Sequence, residues 1–228
     1  MNYWLKLYDQ SLIKFTMYSE VGEGFKADVL WLAEDKAHLL PVDFLYAPNF
    51  KEINKDAVQS SLIKWLERRV IPKNREFVEE ILKLYGLSIN DVKGIISICK
   101  GLSLNDSYWV VPDGLDGRFI DYNLYENKFS EVLSLVAFTG VGGGETPFTT
   151  SPEYTTGGML RKAWRNIDRE IYLNKGGTSG AANAGQEPYS EYYACQIAEK
   201  MGLRPVMYDL KKWKGVLASD HQTCSNIR

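Results

Sequence analysis

The alternation of apolar and polar residues at the start of the chain predicts β-strands. Residues 3–18, "YWLKLYDQSLIKFTMY", contain two runs of β-type residues around Asp9 and Gln10, which is typical of a short hairpin. The stretch "ADVLWLAEDKAHLLPVDFLY" continues with an apolar segment, a charged turn and a second apolar segment. We therefore expect a small antiparallel sheet over residues 3–46.

The spacing of apolar residues changes after residue 48 to the spacing of helices. In "DAVQSSLIKWLERRV" one helical face carries Val58, Leu62, Trp65 and Leu66. Asn74 is the expected N-cap of "REFVEEILKLYG", and Ser88 with Asp91 forms an S-x-x-D start for "INDVKGIISICKG". These segments predict a helical middle region with short connections.

Glycine, threonine and proline then mark a boundary in the chain. "YWVVP" predicts a strand and "YENKFSEVLSLVAFTG" a helix, whereas residues 140–158 have no sustained apolar period. This composition divides the chain into an amino-terminal α+β region, 1–140, and a carboxy-terminal region, 150–228. The second region is expected to hold two β-type pieces, around 160–165 and 170–175, and a helix over 188–201.

The end of the second region is expected to be less regular. We expect the helix over 188–201 to bury one stripe of side chains: Tyr193, Ala194, Ile197, Ala198 and Met201. "RPVMYDLKKW" reads as a strand, and the polar tail "SDHQTCSNIR" is expected to be loose. The overall expectation is an α+β fold.

Composition narrows the class of protein. The 228 residues are 45% hydrophobic with a formal net charge of −2, so a chain-wide nucleic-acid footprint is disfavoured. Cys99, Cys195 and Cys224 form no C-x-x-C pair, and the first residues do not resemble a signal peptide. No apolar run approaches the roughly 20 residues of a membrane span. We expect a cytoplasmic protein with reduced thiols and without a membrane anchor.

The residues that carry candidate chemistry lie between 155 and 191. Gly157 and Gly158 allow the backbone to approach a ligand closely, so that N–H groups can point at phosphate oxygens. Lys175 ends the second β-type piece and can place an ammonium over the same phosphates. Glu191, 16 residues later, lies in the first turn of the predicted helix and can pair with that lysine, as the helix glutamate of protein kinases pairs with the β-strand lysine.

The same segment resembles part of the HipA-like serine/threonine kinases. "SEYYACQIAEKMGL" is similar to the helix after the ATP-lysine strand of that family, with pattern E-Y-Y-x-C-x-x-x-A-x-x-x-G-L. "TTGGMLRK" resembles the family's flexible loop in length and character. The resemblance is specific over roughly residues 150–203 and looser over 1–140. It implies an ATP-binding set of Lys175, Glu191, Gly157, Gly158, Lys162, Thr155 and Thr156, in which Thr155 is the regulatory hydroxyl and Thr156 an adjacent candidate.

The chain departs from the family where catalysis would occur. Such kinases need a catalytic aspartate in an N-x-D-R-H-x-x-N-like segment and a later aspartate that holds Mg²⁺, and neither segment follows Lys175. "NIDRE" at 166–170 precedes the lysine strand and is therefore out of order. The resemblance thus implies the regulatory and ATP-binding portion of a kinase, inactive alone, with weak ATP affinity and Mg²⁺ bound only when a catalytic lobe is present.

The resemblance implies two kinds of partner, and the sequence also supports one alternative function. The family implies a helix-turn-helix antitoxin or a separately encoded catalytic half as partner, with a protein substrate that the sequence does not identify. The alternative is a non-catalytic interaction or DNA-associated module that uses helices over 57–104. Its basic cluster in "ERRVIPKNRE" consists of Arg68, Arg69, Lys73 and Arg75. The interleaved Glu67 and Glu76 favour an ordinary helical packing unit.

Overall fold

The structure is a computed structural model that describes residues 1–20, 24–45, 55–142, 150–179 and 184–223. The architecture is α+β, as predicted, with two four-stranded antiparallel sheets. The strands in the described residues are β1 (Asn2–Leu7), β2 (Gln10–Glu20), β3 (Gly24–Leu32), β4 (Tyr108–Pro112), β5 (Lys162–Ile167), β6 (Glu170–Gly176), β7 (Asp209–Trp213) and β8 (Val216–Thr223). The α-helices are α1 (Val42–Leu45), α2 (Lys55–Arg68), α3 (Val78–Lys83), α4 (Val92–Cys99), α5 (Phe119–Tyr122), α6 (Glu131–Thr139) and α7 (Glu187–Lys200).

The first sheet has the strand order β3-β2-β1-β4, and every neighbouring pair is antiparallel. The predicted hairpin is present, with Leu7 paired to Gln10 across a tight turn. β4 is the predicted strand "YWVVP" and lies beside β1. The fully buried side chains of this sheet include Leu5, Ile13, Phe15 and Trp109.

The prediction that the sheet continues towards residue 46 is wrong. A 3₁₀ helix occupies Glu34–Leu39, and α1 follows directly after Pro41. Proline has no N–H to donate to a sheet, and its fixed φ suits the first turn of a helix. Asp43 in that first turn interacts favourably with the helix dipole.

The helical middle region is present, but several helices begin later than predicted. α2 buries the predicted stripe of Val58, Leu62, Trp65 and Leu66. α3 is preceded by Phe77, at φ 63°, so Asn74 is not its cap. α4 is capped by Asp91, whose carboxylate accepts a hydrogen bond from Gly94 N at 2.8 Å, and not by Ser88. α6 starts at Glu131 after Ser130, whose hydroxyl accepts from Leu133 N.

The second sheet has the strand order β5-β6-β8-β7, again antiparallel throughout. Its two hairpins turn through Asp168-Arg169 and Lys214-Gly215, and all four residues have positive φ. Two consecutive residues with positive φ match the right-handed twist of the flanking strands. On one face of the sheet Phe138 of α6 packs against Ala163 and Ala218.

The expectation of a loose tail is wrong for residues 219–223, the first half of the segment. The described part of "SDHQTCSNIR" belongs to β8, which lies between β6 and β7 in the sheet. Ser219 is fully buried and Asp220 is 8% exposed. Backbone pairing on both sides of β8 holds this polar sequence in the sheet, and Cys224–Arg228 lie outside the described residues.

The predicted buried stripe of α7 is also wrong. Tyr193 is 58% exposed, Ile197 61% and Met201 71%, while Ala194 is exposed and Ala198 half-buried. The buried residues of the helix are Pro188 and Cys195. The helix turns its Glu191 and Cys195 side to the second sheet, because Glu191 makes polar contacts there.

Contacts divide the chain into two compact units. The first unit comprises Met1–Ile71, Leu87–Asn127 and Phe148–Thr156, and the second comprises Pro72–Gly86, Lys128–Pro147 and Gly157–Arg228. The second unit includes α3 and α6 because α6 packs on β5 and α3 packs on α6. The linear division into 1–140 and 150–228 groups these two helices with the first sheet instead.

Candidate functional site

Lys175 lies on an inner strand of the second sheet and reaches towards α7. Its strand, β6, is flanked by β5 and β8, so the backbone around Lys175 is held on both sides. Lys175 Nζ donates to Glu191 Oε1 at 2.8 Å and to the Tyr208 hydroxyl at 3.0 Å. The ammonium also lies 4.9 Å from the centre of the Tyr208 ring. The pairing of Lys175 with Glu191 that the sequence predicts is therefore present.

Glu191 connects three elements of the second unit. One carboxylate oxygen accepts from Lys175 on β6, and the other accepts from the hydroxyl of Ser219 on β8. At the start of the same helix, Glu187 accepts from the backbone N–H and the hydroxyl of Thr178, at 3.1 and 2.7 Å. These hydrogen bonds fix α7 against the sheet on the side that carries Lys175.

The surroundings of Lys175 keep its ammonium charged. Burial by itself lowers the pKa of Lys175, but the hydrogen bonds to Glu191 and Tyr208 outweigh it and the pKa is raised. The side chains of Lys175 and Glu191 are 22% and 30% exposed, so solvent reaches part of the pair. The site therefore holds a fixed positive charge that a ligand can still approach.

Lys162 brings a second ammonium to the same face. It lies directly across from Lys175 in the antiparallel pairing of β5 and β6 and is 7% exposed. Its Nζ donates to the carbonyl of Gly157 at 2.6 Å, and in the described part of the chain no carboxylate pairs with it. Burial, together with the charges of Arg75 and Lys175, lowers the pKa of Lys162 to about 8, although the Glu191 charge acts in the opposite direction. Arg75 is 2% exposed and donates to the carbonyl of Lys162.

The two glycines of the predicted loop differ in their surroundings. A Cβ on Gly157 would meet no atom within 4 Å. Gly158 has φ +90°, and a Cβ there would lie 2.6 Å from Lys162 Nζ. Both glycines are exposed. Gly158 thus permits the turn that brings the Gly157 carbonyl to Lys162, while the backbone at Gly157 remains open to solvent.

The structure does not group the two predicted threonines with these residues. Thr155 and Thr156 belong to the first compact unit, whereas Gly157 begins the next segment of the second. Thr155 Oγ1 donates to the carbonyl of Leu102 at 2.8 Å, and Thr156 Oγ1 donates to that of Pro152 at 2.5 Å. Their hydroxyls would have to leave these carbonyls before they could be phosphorylated.

Sequence reasoning missed three residues that surround Lys175. Tyr208 and Ser219 contact the Lys175–Glu191 pair, and the ring of His221 lies 4.9 Å from that of Tyr208. The Lys214-Gly215 turn was the available signal, because a short turn containing glycine after the β-type run "DLKKW" indicates a hairpin. Burial lowers the pKa of His221, and the Lys175 charge lowers it further, so the ring is neutral at physiological pH.

Other observations bear on the remaining predictions. Cys195 is 4% exposed, as expected for a small buried residue. A cavity of about 590 Å³ lies at the far end of β5, lined by residues such as Trp164, Arg165 and Trp213, and includes none of the predicted site residues. In the described ranges no helix is both long and apolar enough to cross a bilayer, and no three His, Cys, Asp or Glu side chains form a metal-binding group.

The basic cluster of the alternative function is largely engaged within the protein. Arg69 forms a bidentate ion pair with Asp106, and its guanidinium lies 4.3 Å from the centre of the Trp65 ring. Arg75 is buried. Arg68 remains 67% exposed and pairs with Asp43 at 3.0 Å. This arrangement offers few arginines to a phosphate backbone.

Neither protein-family models nor curated proteins gave a match. The resemblance to HipA-like kinases therefore stays a prediction, and the chemistry of the site rests on its geometry.

Proposed function

We propose that the chain is the regulatory and ATP-binding portion of a HipA-like serine/threonine protein kinase and is inactive alone. One observation carries the proposal: Lys175, on an inner strand, pairs with Glu191 on the helix that packs against that strand. In protein kinases a lysine and glutamate in this relationship position the ATP phosphates. Because lysine–glutamate ion pairs occur in many kinds of protein, the proposal also rests on the charged groups around this pair.

The charge balance of the site supports a polyphosphate ligand. The positive charges of Lys175 and Arg75 both act on Lys162, and the charge of Glu191 opposes them. An anion beside Lys162 would relieve the unfavourable burial of its ammonium. When bound, a nucleotide would present phosphate oxygens to Lys175, Lys162 and the exposed backbone of Gly157 and Gly158.

The residues present do not fit a magnesium site. Mg²⁺ needs several oxygen ligands, of which one or two are carboxylates. Glu191 already accepts from both Lys175 and Ser219, and no metal-binding group is found in the part of the chain that the structure describes. The metal and the catalytic aspartate would come from a separate catalytic half, and a helix-turn-helix antitoxin is the other partner that we propose. A reducing cytoplasm is part of the proposal, and Cys99 and Cys195 are free thiols.

Nucleotide titration tests the proposal. Binding of a fluorescent ATP analogue, with unlabelled ATP as competitor, would be measured for the native chain, Lys175→Met and Lys212→Met. Lys212 is an exposed lysine of the same sheet and gives the same change in net charge. We expect weak binding that Lys175→Met reduces at least about tenfold and Lys212→Met leaves unchanged, since a single charge-assisted phosphate contact contributes about 1.5–3 kcal/mol. No binding, or equal loss in both variants, would contradict the proposal.

A further inference from the structure

The outer side of α7 exposes a row of apolar side chains, which we call the α7 outer face. It consists of Tyr189, Tyr193, Ile197 and Met201, four residues apart, and they are 37%, 58%, 61% and 71% exposed. More apolar residues follow the helix directly, at exposures of 45–60%: Leu203, Val206 and Met207. The opposite side of the helix holds Glu191 and Cys195 against the sheet. Among the described residues, therefore, none covers this face while the other side of the helix packs against the sheet.

The exposed area of this surface is larger than the largest apolar patch on a typical monomer. By their exposed fractions these seven residues together leave roughly 800 Å² in water, about what each partner contributes to a standard protein interface. The largest apolar patch of a typical monomer is about 300–600 Å². Three members of the α7 outer face, Tyr193, Ile197 and Met201, also belong to the stripe that the sequence pattern assigned to burial. A stripe patterned for burial but exposed in the folded chain indicates an intermolecular contact.

The order of residues along the face makes it complementary to itself. If two copies of α7 cross in antiparallel fashion about a two-fold axis near Cys195, Tyr189 of one copy meets Met201 of the other. Tyr193 of one copy then meets Ile197 of the other. Sulfur–aromatic and aromatic–aliphatic contacts are favourable, and residues four apart form the ridges that pack in the commonest class of helix pair.

The exposed Lys200 borders this row three residues after Ile197, and in the two-fold arrangement it meets the uncharged Ser190 of the other copy. The four positions of the α7 outer face carry no charge, and the neighbouring Ala194 is small enough to let two helices approach closely. Antiparallel helices also place opposite ends of their dipoles together. Such a contact is isologous, the kind found in two-fold dimers.

We propose that two copies of this chain form a symmetric dimer through the α7 outer face. The proposal is independent of nucleotide binding, because it rests on the side of α7 that faces away from Lys175. A dimer would brace the helix that carries Glu191 and cover the apolar row from water.

Sedimentation velocity over a dilution series tests the dimer. We expect the native chain to sediment as a dimer that dissociates on dilution, and Ile197→Glu to raise the dissociation constant by about 100-fold, because two carboxylates would be buried near the axis. Ile120→Glu is the matched control, since Ile120 is 42% exposed on another helix, and it should remain dimeric. Circular dichroism melts would show that both variants are folded. A native chain that is monomeric at every concentration overturns the proposal.

Disulfide trapping tests the antiparallel arrangement. Mixing a Tyr193→Cys copy with an Ile197→Cys copy under mild oxidation should give a cross-linked dimer, because these positions face each other. A Tyr189→Cys copy mixed with Ile197→Cys should cross-link at least tenfold more slowly, and the native chain reports any background from its own cysteines. Equal cross-linking in the two mixtures would overturn the proposed geometry.

Discussion

Lys162 and Lys175 lie directly opposite each other on adjacent antiparallel strands, and their ammonium groups are held in different ways. Lys175 donates to a carboxylate, whereas Lys162 donates to the carbonyl of Gly157. Among the described residues, the partly exposed Lys175 thus has a carboxylate partner, whereas the buried Lys162 beside it has a carbonyl. The two ammonium groups outnumber the one carboxylate, and an anionic ligand would balance this excess of positive charge.

Replacing Lys162 should stabilise the protein at neutral pH. The folded chain lowers the pKa of Lys162 to about 8, while the unfolded chain keeps the ordinary lysine value of about 10.4. Between these values the unfolded chain binds more protons, so the free energy of unfolding rises with pH. We expect Lys162→Met to raise that free energy by on the order of 1–2 kcal/mol at pH 7, and the advantage to shrink as pH rises from 8 to 10. Urea unfolding of both proteins across this range would measure it, and an advantage independent of pH would contradict the charge argument.

Nucleotide binding should take up a proton through Lys162. A bound anion raises the pKa of Lys162, so at pH 8 a larger fraction of the side chain becomes protonated. Phosphate groups, with a second pKa near 6, are already deprotonated at pH 8 and contribute little. Calorimetric titration in two buffers that differ in ionisation enthalpy measures this uptake. The native chain should show it and Lys162→Met should not; equal uptake would exclude Lys162 as its source.

The ion pair between Lys175 and Glu191 should stabilise the fold more than an exposed pair does. A double-mutant cycle with Lys175→Met and Glu191→Gln should give a coupling of about 1 kcal/mol, a modest value because both side chains are partly exposed. The control is Arg68 with Asp43, whose side chains are 67% and 56% exposed, and its coupling should stay below about 0.5 kcal/mol. Chemical denaturation of seven proteins, the native chain and three variants for each pair, supplies both couplings. Equal couplings would show that the pair is merely a surface contact.

The adjacent glycines offer a matched test of the loop. Gly158→Ala should cost about 1–2 kcal/mol of stability, because its φ of +90° disfavours a side chain and the new Cβ would displace Lys162. Gly157→Ala should change stability by less than about 0.5 kcal/mol, since no atom lies within 4 Å of its Cβ. If the loop approaches phosphate, Gly157→Ala should nevertheless weaken ATP binding. Thermal melts and the fluorescent titration would separate the two effects.

Neighbouring arginines should differ sharply when replaced. Arg69→Ala removes a paired, stacked guanidinium and leaves Asp106 without its partner, so we expect a loss of about 2 kcal/mol. Arg68→Ala should change stability by less than about 0.5 kcal/mol. In a salt titration with duplex DNA, we expect the native chain and both variants to show only background binding. Strong duplex binding that both substitutions abolish would instead support the DNA-associated alternative.

The local elements of the candidate site were predictable, but the orientation of α7 was not. Lys175 at the end of a β-type run and Glu191 at the start of a helix are local patterns, and their pairing follows from strand–helix succession. The apolar spacing of Tyr193, Ile197 and Met201 assigned the wrong side of α7 to the sheet. Periodicity identifies an apolar side without saying which surface covers it. Here Lys175 and Ser219 hold Glu191, and so determine which side docks.

The missed contacts come from residues distant in sequence. Ser219 contacts Glu191 because β8 lies beside β6 in the sheet. The polar sequence "SDHQT" has no alternation of apolar residues that would predict a strand. Lys162 was expected near the site as part of the loop segment, yet its placement opposite Lys175 depends on the register that the Asp168-Arg169 turn sets. A one-residue shift would have turned Lys162 to the other face.

The position of β8 also affects the order in which the protein can assemble as it is synthesised. β6 forms the edge of an incomplete sheet until β7 and β8 have left the ribosome, because its second neighbour is the last of the eight described strands to be made. During that interval the strand bearing Lys175 can pair with foreign strands. A molecular chaperone or a second nascent copy would therefore contact β6 before the proposed nucleotide could bind.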